Sequence, residues 1–132
     1  MVRACTPAPQ DISGLTPLRP DIDARALRVR LLAEMSAADV PADDAEDMLI
    51  ATGKVLANAH SYGGGVRALR LGRAGARFVC EVADHGPGLD DPLAGYLPPR
   101  RGRGAGLWVA RQLTRRLEMI STEQGLTTRL WH

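Results

Sequence analysis

Three consecutive glycines, Gly63-Gly64-Gly65, divide this chain into two unlike halves and constrain its fold more than any other feature. Before them runs a long stretch with helical spacing. After them come short strand-like runs broken by Gly, Pro and Arg. Glycine lacks a Cβ and is the usual residue just past a helix C-terminus. Upstream, Pro41 sits where a helix begins, and Ala42-Asp43-Asp44-Ala45-Glu46-Asp47 places carboxylates in the first turn, where the helix dipole favours them. Met48, Leu49, Ala51, Val55, Leu56 and Ala59 carry that helix to the glycines. An earlier helix is expected from Asp21 or Asp23, either able to cap it, through Ala26, Leu27, Val29, Leu31, Leu32 and Met35.

Beyond the glycines, residues 66–71 and 77–83 read as a hairpin around Gly72-Arg73-Ala74-Gly75, with Phe78-Val79-Cys80-Glu81-Val82 rich in strand formers. A loop rich in Gly, Pro and Arg spans 84–104. A third helix is expected over 105–117, with Leu107, Val109, Ala110 and Leu113 inward, then strands at 118–122 and 127–131 turning at Gln124-Gly125. The order helix, helix, hairpin, long loop, helix, hairpin implies an α/β two-layer sandwich, with helices packed on one face of a mainly antiparallel sheet. Residues 1–17 read as an N-terminal tail with room for a short strand near 12–15, and residues 18–132 as one domain.

Composition excludes several classes. A chain with 45% hydrophobic and 24% charged residues has the balance of a globular domain rather than of a disordered one. No apolar run reaches the roughly 18 residues of a membrane helix, and the first twenty residues hold no signal-peptide core. A cytoplasmic location is expected, without membrane association. Cys5 and Cys80 make neither a disulfide framework nor a metal site, which suits a reducing compartment. The half up to residue 65 carries a net charge of −3 and the rest +5, with Arg supplying every basic residue but Lys54. No aromatic interleaving or recognition motif accompanies the arginines, so direct nucleic-acid binding is not expected.

Three elements can carry chemistry. Lys54 and Asn58 lie four apart, on one face of the second helix. A side-chain carbonyl such as that of Asn58 suits a hard cation like magnesium, alongside phosphate and water. Asp84-His85-Gly86-Pro87-Gly88 follows the strand directly; read alone it is equally a turn. Asp84 could accept a hydrogen bond from an exocyclic amine such as that of adenine, with glycines admitting a flat ligand. Arg101-Gly102-Arg103-Gly104-Ala105-Gly106-Leu107 runs into the third helix, where free backbone N–H groups and the dipole attract an anion. It is not a Walker A loop, since no Gly-Lys-Ser/Thr follows.

In this order the three elements resemble the GHKL ATPases (gyrase, Hsp90, histidine kinase, MutL). Asn58 looks like the N-box asparagine; Asp84, Gly86 and Gly88 match the first glycine box; Gly102, Gly104 and Gly106 match the second; Thr127 falls near the threonine of the last strand that commonly lies close to adenine. Asp90-Asp91-Pro92-Leu93-Ala94-Gly95, the Gly106-Leu107-Trp108 of the third helix and the ending from Thr127 are similar to ATPase domains of actinobacterial anti-sigma regulators. The resemblance implies the Bergerat fold, ATP and Mg2+ as cofactors, Asn58 as metal ligand, Asp84 at adenine, and residues 92–104 as an ATP lid. Arg101, Arg103 and Leu107 complete the expected nucleotide-binding set. It also implies a sigma factor and/or an anti-anti-sigma factor as partner, and leaves a homodimer open.

The chain departs from that pattern where chemistry would occur. Four residues before the N-box asparagine the family usually has a Glu as general base; here it is Lys54. A protonated lysine offers no lone pair to a proton, but can pair with phosphate as a point charge. Tyr62 replaces a customary basic residue, and His60 stands where the family is usually apolar. Three readings follow: an ATP-responsive partner-switching module in which phosphotransfer is in question, an active protein-serine kinase acting on an anti-anti-sigma factor, and a nucleotide-independent binding module. None of His60, His85 and His132 sits in a phosphoacceptor helix, which disfavours a histidine kinase.

Overall fold

The computed structural model describes residues 12–86 and 105–132. Strand β1 (Thr16–Leu18) leads into helices α1 (Ala24–Ala37) and α2 (Ala42–Tyr62), then strands β2 (Val66–Ala74) and β3 (Arg77–Asp84), helix α3 (Ala105–Leu113), and strands β4 (Arg116–Thr122) and β5 (Gly125–Trp131). The strands form one antiparallel sheet in the order β1-β2-β3-β5-β4, with β3 in the middle. The helices lie on one face of it, making the expected α/β two-layer sandwich. No helix among the described residues is long and apolar enough to cross a membrane.

Local signals explain most boundaries. Asp23 caps α1, its carboxylate accepting from Ala26 N at 2.8 Å, and Leu27, Leu31 and Met35 recur every four residues as its buried stripe. α2 starts after Pro41, carries Asp43 and Asp44 in its first turn, and buries Ala45, Met48, Ala51, Thr52, Val55 and Ala59. It ends where Gly64 (φ 68°) and Gly65 (φ 102°) turn the chain back in a conformation that disfavours any side chain. These helices pack on Leu69, Leu71, Phe78, Cys80, Val82, Leu117 and Leu130 of the sheet. On the opposite face a smaller cluster joins Leu15, Ala74, Val79 and Trp131, with Ile12 against it.

Some expected boundaries move. The edge strand foreseen near 12–15 lies at Thr16–Leu18. The first hairpin runs three residues past its expected end on β2, and the turn is Gly75-Ala76 rather than Gly72–Gly75. The expected 105–117 helix stops at Leu113, and Leu117 belongs to β4. Helix and strand periods agree over so short an apolar run, and pairing of Arg116 with Trp131 and Leu117 with Leu130 decides it. β5 likewise begins at Gly125, two residues before its expected start.

Candidate functional site

Asp84 ends the central strand β3 and is buried. Its Oδ1 accepts from Gly86 N at 3.0 Å and from Leu126 N, at the start of β5, at 2.8 Å. Its main-chain oxygen accepts from Arg67 Nε at 3.2 Å. Next to it, His85 N donates to Gly63 O at 2.9 Å and to Gly65 O at 3.1 Å. Asp84 and His85 thus tie together the end of α2, the middle of the sheet and the start of β5.

Two glycines make room for this carboxylate. A Cβ at Gly63 would overlap Asp84 Oδ2 and lie 2.8 Å from its Cβ. A Cβ at Gly125 would overlap the Asp84 main-chain oxygen, and the φ of 139° there strains any other residue as well. Gly86 is constrained in the same way, since its Cβ would come 2.6 Å from Gly63 Cα. With Oδ1 fixed by two N–H donors, Oδ2 lies on the Gly63 side.

Lys54 and Asn58 sit on α2, about two and a half and one and a half turns before Gly63; Lys54 is exposed and Asn58 half-buried. Gly106, in the first turn of α3, packs against Lys54: an added Cβ would stand 3.3 Å from Lys54 O and 3.6 Å from Lys54 Cβ. This contact brings the N-terminus of α3 beside the exposed face of α2. The structure therefore places Asp84 and Gly86 at the end of α2 and Gly106 against Lys54, about 13 Å back along the helix, with Asn58 on the turn between. Leu107 is placed in the hydrophobic core, which leaves only its main chain to meet a ligand. Gly88, Arg101, Gly102, Arg103, Gly104 and the 92–104 segment lie outside the described residues.

Thr127 is not brought to this site. It pairs with Ala83 and Ile120 on the face of the sheet turned away from the helices. The neighbouring Thr128 pairs with Val82 on the helix face and is buried. Alternation along a strand puts adjacent residues on opposite faces, so a one-residue difference decides which threonine faces the helices. Sequence reading also missed Gly63, Arg67, Gly125 and Leu126. Of these, Gly63 in the glycine run and Gly125 opening a strand left local signals, read as helix and turn punctuation rather than as site residues.

Electrostatics elsewhere in the sheet are structural. Burial pushes the Glu81 carboxyl up, but hydrogen bonds and charge from Arg70 and Arg129 outweigh it and hold Glu81 below the usual carboxylate range. Burial pushes the Cys80 thiol up to about 12, with the Thr52 hydroxyl beside it acting the other way. Among the described residues no group of three or more His, Cys, Asp or Glu is placed to hold a metal ion. A cavity of about 220 Å³, lined by Asp44, Met48, Leu113, Thr114, Arg115 and His132, lies near the start of α2, roughly 28 Å along the helix from Gly63.

No curated protein matches the chain. A family model described as the histidine kinase-like ATPase domain matches residues 16–131, from β1 to the end of β5. That span holds every element just described, and the chain belongs to the histidine kinase-like ATPase domain family.

Proposed function

We propose that this chain is an ATP-binding regulatory domain that acts by holding and releasing a protein partner, a sigma factor or its antagonist, with phosphotransfer weak or lost. The observation that carries the reading is the Asp84 carboxylate. One oxygen is fixed by two backbone donors and the other lies on the side opened by Gly63. Such a group orients a single acceptor toward an exocyclic amine, and charge assistance strengthens the bond.

The residues present fit the rest of the nucleotide. The first-turn N–H groups of α3, beside Lys54, suit phosphate, because helix N-termini carry free donors and positive potential. Asn58 would give magnesium one oxygen, the remaining ligands being phosphate and water. The bound triphosphate supplies a transferable phosphoryl group. In the place of the usual general base, Lys54 offers charge neutralisation and no proton acceptor. Binding without turnover suits a switch whose output is partner affinity. The specific partner, the serine-kinase alternative and the resemblance to anti-sigma regulators rest on sequence likeness alone.

Calorimetric titration with ATP and ADP, with and without magnesium, tests the reading. Binding that Lys54→Ala weakens, with little transfer to a serine-bearing partner, is expected. Absence of binding at millimolar nucleotide would remove the proposal. Rapid partner phosphorylation, undiminished in Lys54→Ala, would restore the kinase with a different base.

A further inference from the structure

The cavity of about 220 Å³ near the start of α2 takes no part in the proposed nucleotide site. Helix α3 runs back along α2: Gly106 packs on Lys54 at one end, and Leu113 shares the cavity with Met48 at the other. The two sites therefore occupy opposite ends of one helix pair. Each element lining the cavity joins an apolar side chain to a charge. On α2, Met48 lies one turn after Asp44, and Asp43 adds a second carboxylate to the first turn. Across from them, Leu113 ends α3 and Arg115 follows two residues later.

Hydrogen bonds hold this lining in place. His132 donates through Nε2 to Asp44 Oδ2 at 2.8 Å, and its main-chain N donates to Phe78 O at 2.9 Å. The Thr114 hydroxyl donates to Ala110 O at 2.9 Å, and Arg115 N donates to Trp131 O at 3.0 Å. Two charged groups are left uncommitted. Asp44 Oδ1 has no hydrogen-bond partner among the described residues, and the side chain keeps 43% of its surface in solvent, within reach of a ligand. Arg115 is exposed, and its guanidinium has no partner among the described residues. Carboxylate and guanidinium line one cavity, yet they form no ion pair with each other.

Opposite charges that share a cavity without meeting suit a ligand that carries both complements, because each ionic group it covers is then paired. The volume equals that of about seven waters at roughly 30 Å³ each, and lies below the roughly 300 Å³ at which sites for drug-sized ligands begin. We propose that this cavity binds a free zwitterionic α-amino acid with an apolar side chain. Its ammonium group meets Asp44, its carboxylate meets Arg115, and its side chain lies against Met48 and Leu113. A simple carboxylate would face Asp43 and Asp44 with no charge to offer them, and a simple amine would face Arg115. The charge pattern thus selects the species that carries both.

Titration of isotope-labelled protein with L-valine, L-leucine and L-methionine, followed by amide chemical shifts without nucleotide, tests this. At least one should saturate with a Kd below about 10 mM. It should move the amides of Met48, Leu113, Arg115 and His132 and leave those of Asp84 and Gly86 in place. Isocaproate and isoamylamine, which lack the ammonium and the carboxylate of leucine respectively, should bind at least about tenfold more weakly than the best amino acid. Arg115→Gln and Asp44→Asn should each weaken amino-acid binding by at least about tenfold. Arg115→Gln, at an exposed position, decides the matter if thermal unfolding shows that Asp44→Asn has lost stability with its His132 bond. No saturable shift with any of the three amino acids at about 50 mM, equal binding of isocaproate or isoamylamine, or wild-type affinity in Arg115→Gln would overturn the proposal. With no nucleotide present, such a failure leaves the ATP reading untouched.

Discussion

Asp84 has two duties in this structure, and two substitutions separate them. Its Oδ1 satisfies Gly86 N and Leu126 N, the latter in a buried bond, which is a structural duty. Its Oδ2 is the oxygen assigned to the nucleotide. Asp84→Asn keeps a carbonyl oxygen for the two N–H groups but puts an amide NH2 where an acceptor stood. Asp84→Ala leaves both donors without a partner. A bond to a charged acceptor contributes about 1.5–3 kcal/mol, and an orphaned buried N–H costs about 1–3 kcal/mol. Asp84→Ala should therefore lose about 2–4 kcal/mol of stability, which lowers Tm by roughly 10 °C in a domain of this size. Asp84→Asn should stay within about 1 kcal/mol of wild type while losing roughly 10- to 150-fold in nucleotide affinity. Thermal unfolding without ligand and calorimetry with ATP read the two quantities separately. Wild-type affinity in Asp84→Asn, or wild-type stability in Asp84→Ala, would refute this division of labour.

Three further outcomes follow from the same geometry. Gly63→Ala pushes a methyl group into Asp84 and should cost about 1–3 kcal/mol in thermal or urea unfolding, with a matching loss of nucleotide affinity. Glu81 has a lowered pKa in the fold, so its stabilising effect is present above its unfolded pKa and is lost as pH falls through the folded one. Glu81→Gln should thus be less stable than wild type by about 1–3 kcal/mol at pH 7, and in unfolding curves the gap should begin to narrow as pH falls below the ordinary Glu range, about pH 4, and go on narrowing with further acidification. Cys80, fully buried and with its thiol pushed up to about 12, should resist thiol reagents in a Cys5→Ser background until the protein unfolds; fast labelling of the native protein would contradict the packing of β3.

Where local chemistry dictates structure, the sequence was easy to read. Pro41, the acids after it and the glycine run bracket α2 closely, and Asp23 announces α1 by its cap. Asp84 was visible as a carboxylate at the end of a strand-forming run, and Lys54 and Asn58 as neighbours one helical turn apart. Contacts made in space were hidden. The Leu126 N–H reaches Asp84 across 42 residues of chain, and Gly63 matters because of what lies against it. Thr127 misled for a related reason. Two adjacent threonines are indistinguishable by composition, and only pairing of β5 with β3 assigns them to opposite faces. Leu117 likewise changed from helix to strand through a cross-strand partner.

The place of β3 in the sheet has a consequence for time. A middle strand has a neighbour on each side, whereas the three-residue edge strand β1 has one. Amide protons of β3 should therefore be released to deuterium only in the rarest openings, close to global unfolding, and those of β1 through frequent fraying. Asp84 stands on the slow strand and is bonded to the first residues of β5. The carboxylate proposed to meet adenine is thus set in the slowest clock of the molecule; under that proposal nucleotide arrives at a base site already formed, and whatever the ligand rearranges must be sought in faster-exchanging parts of the chain.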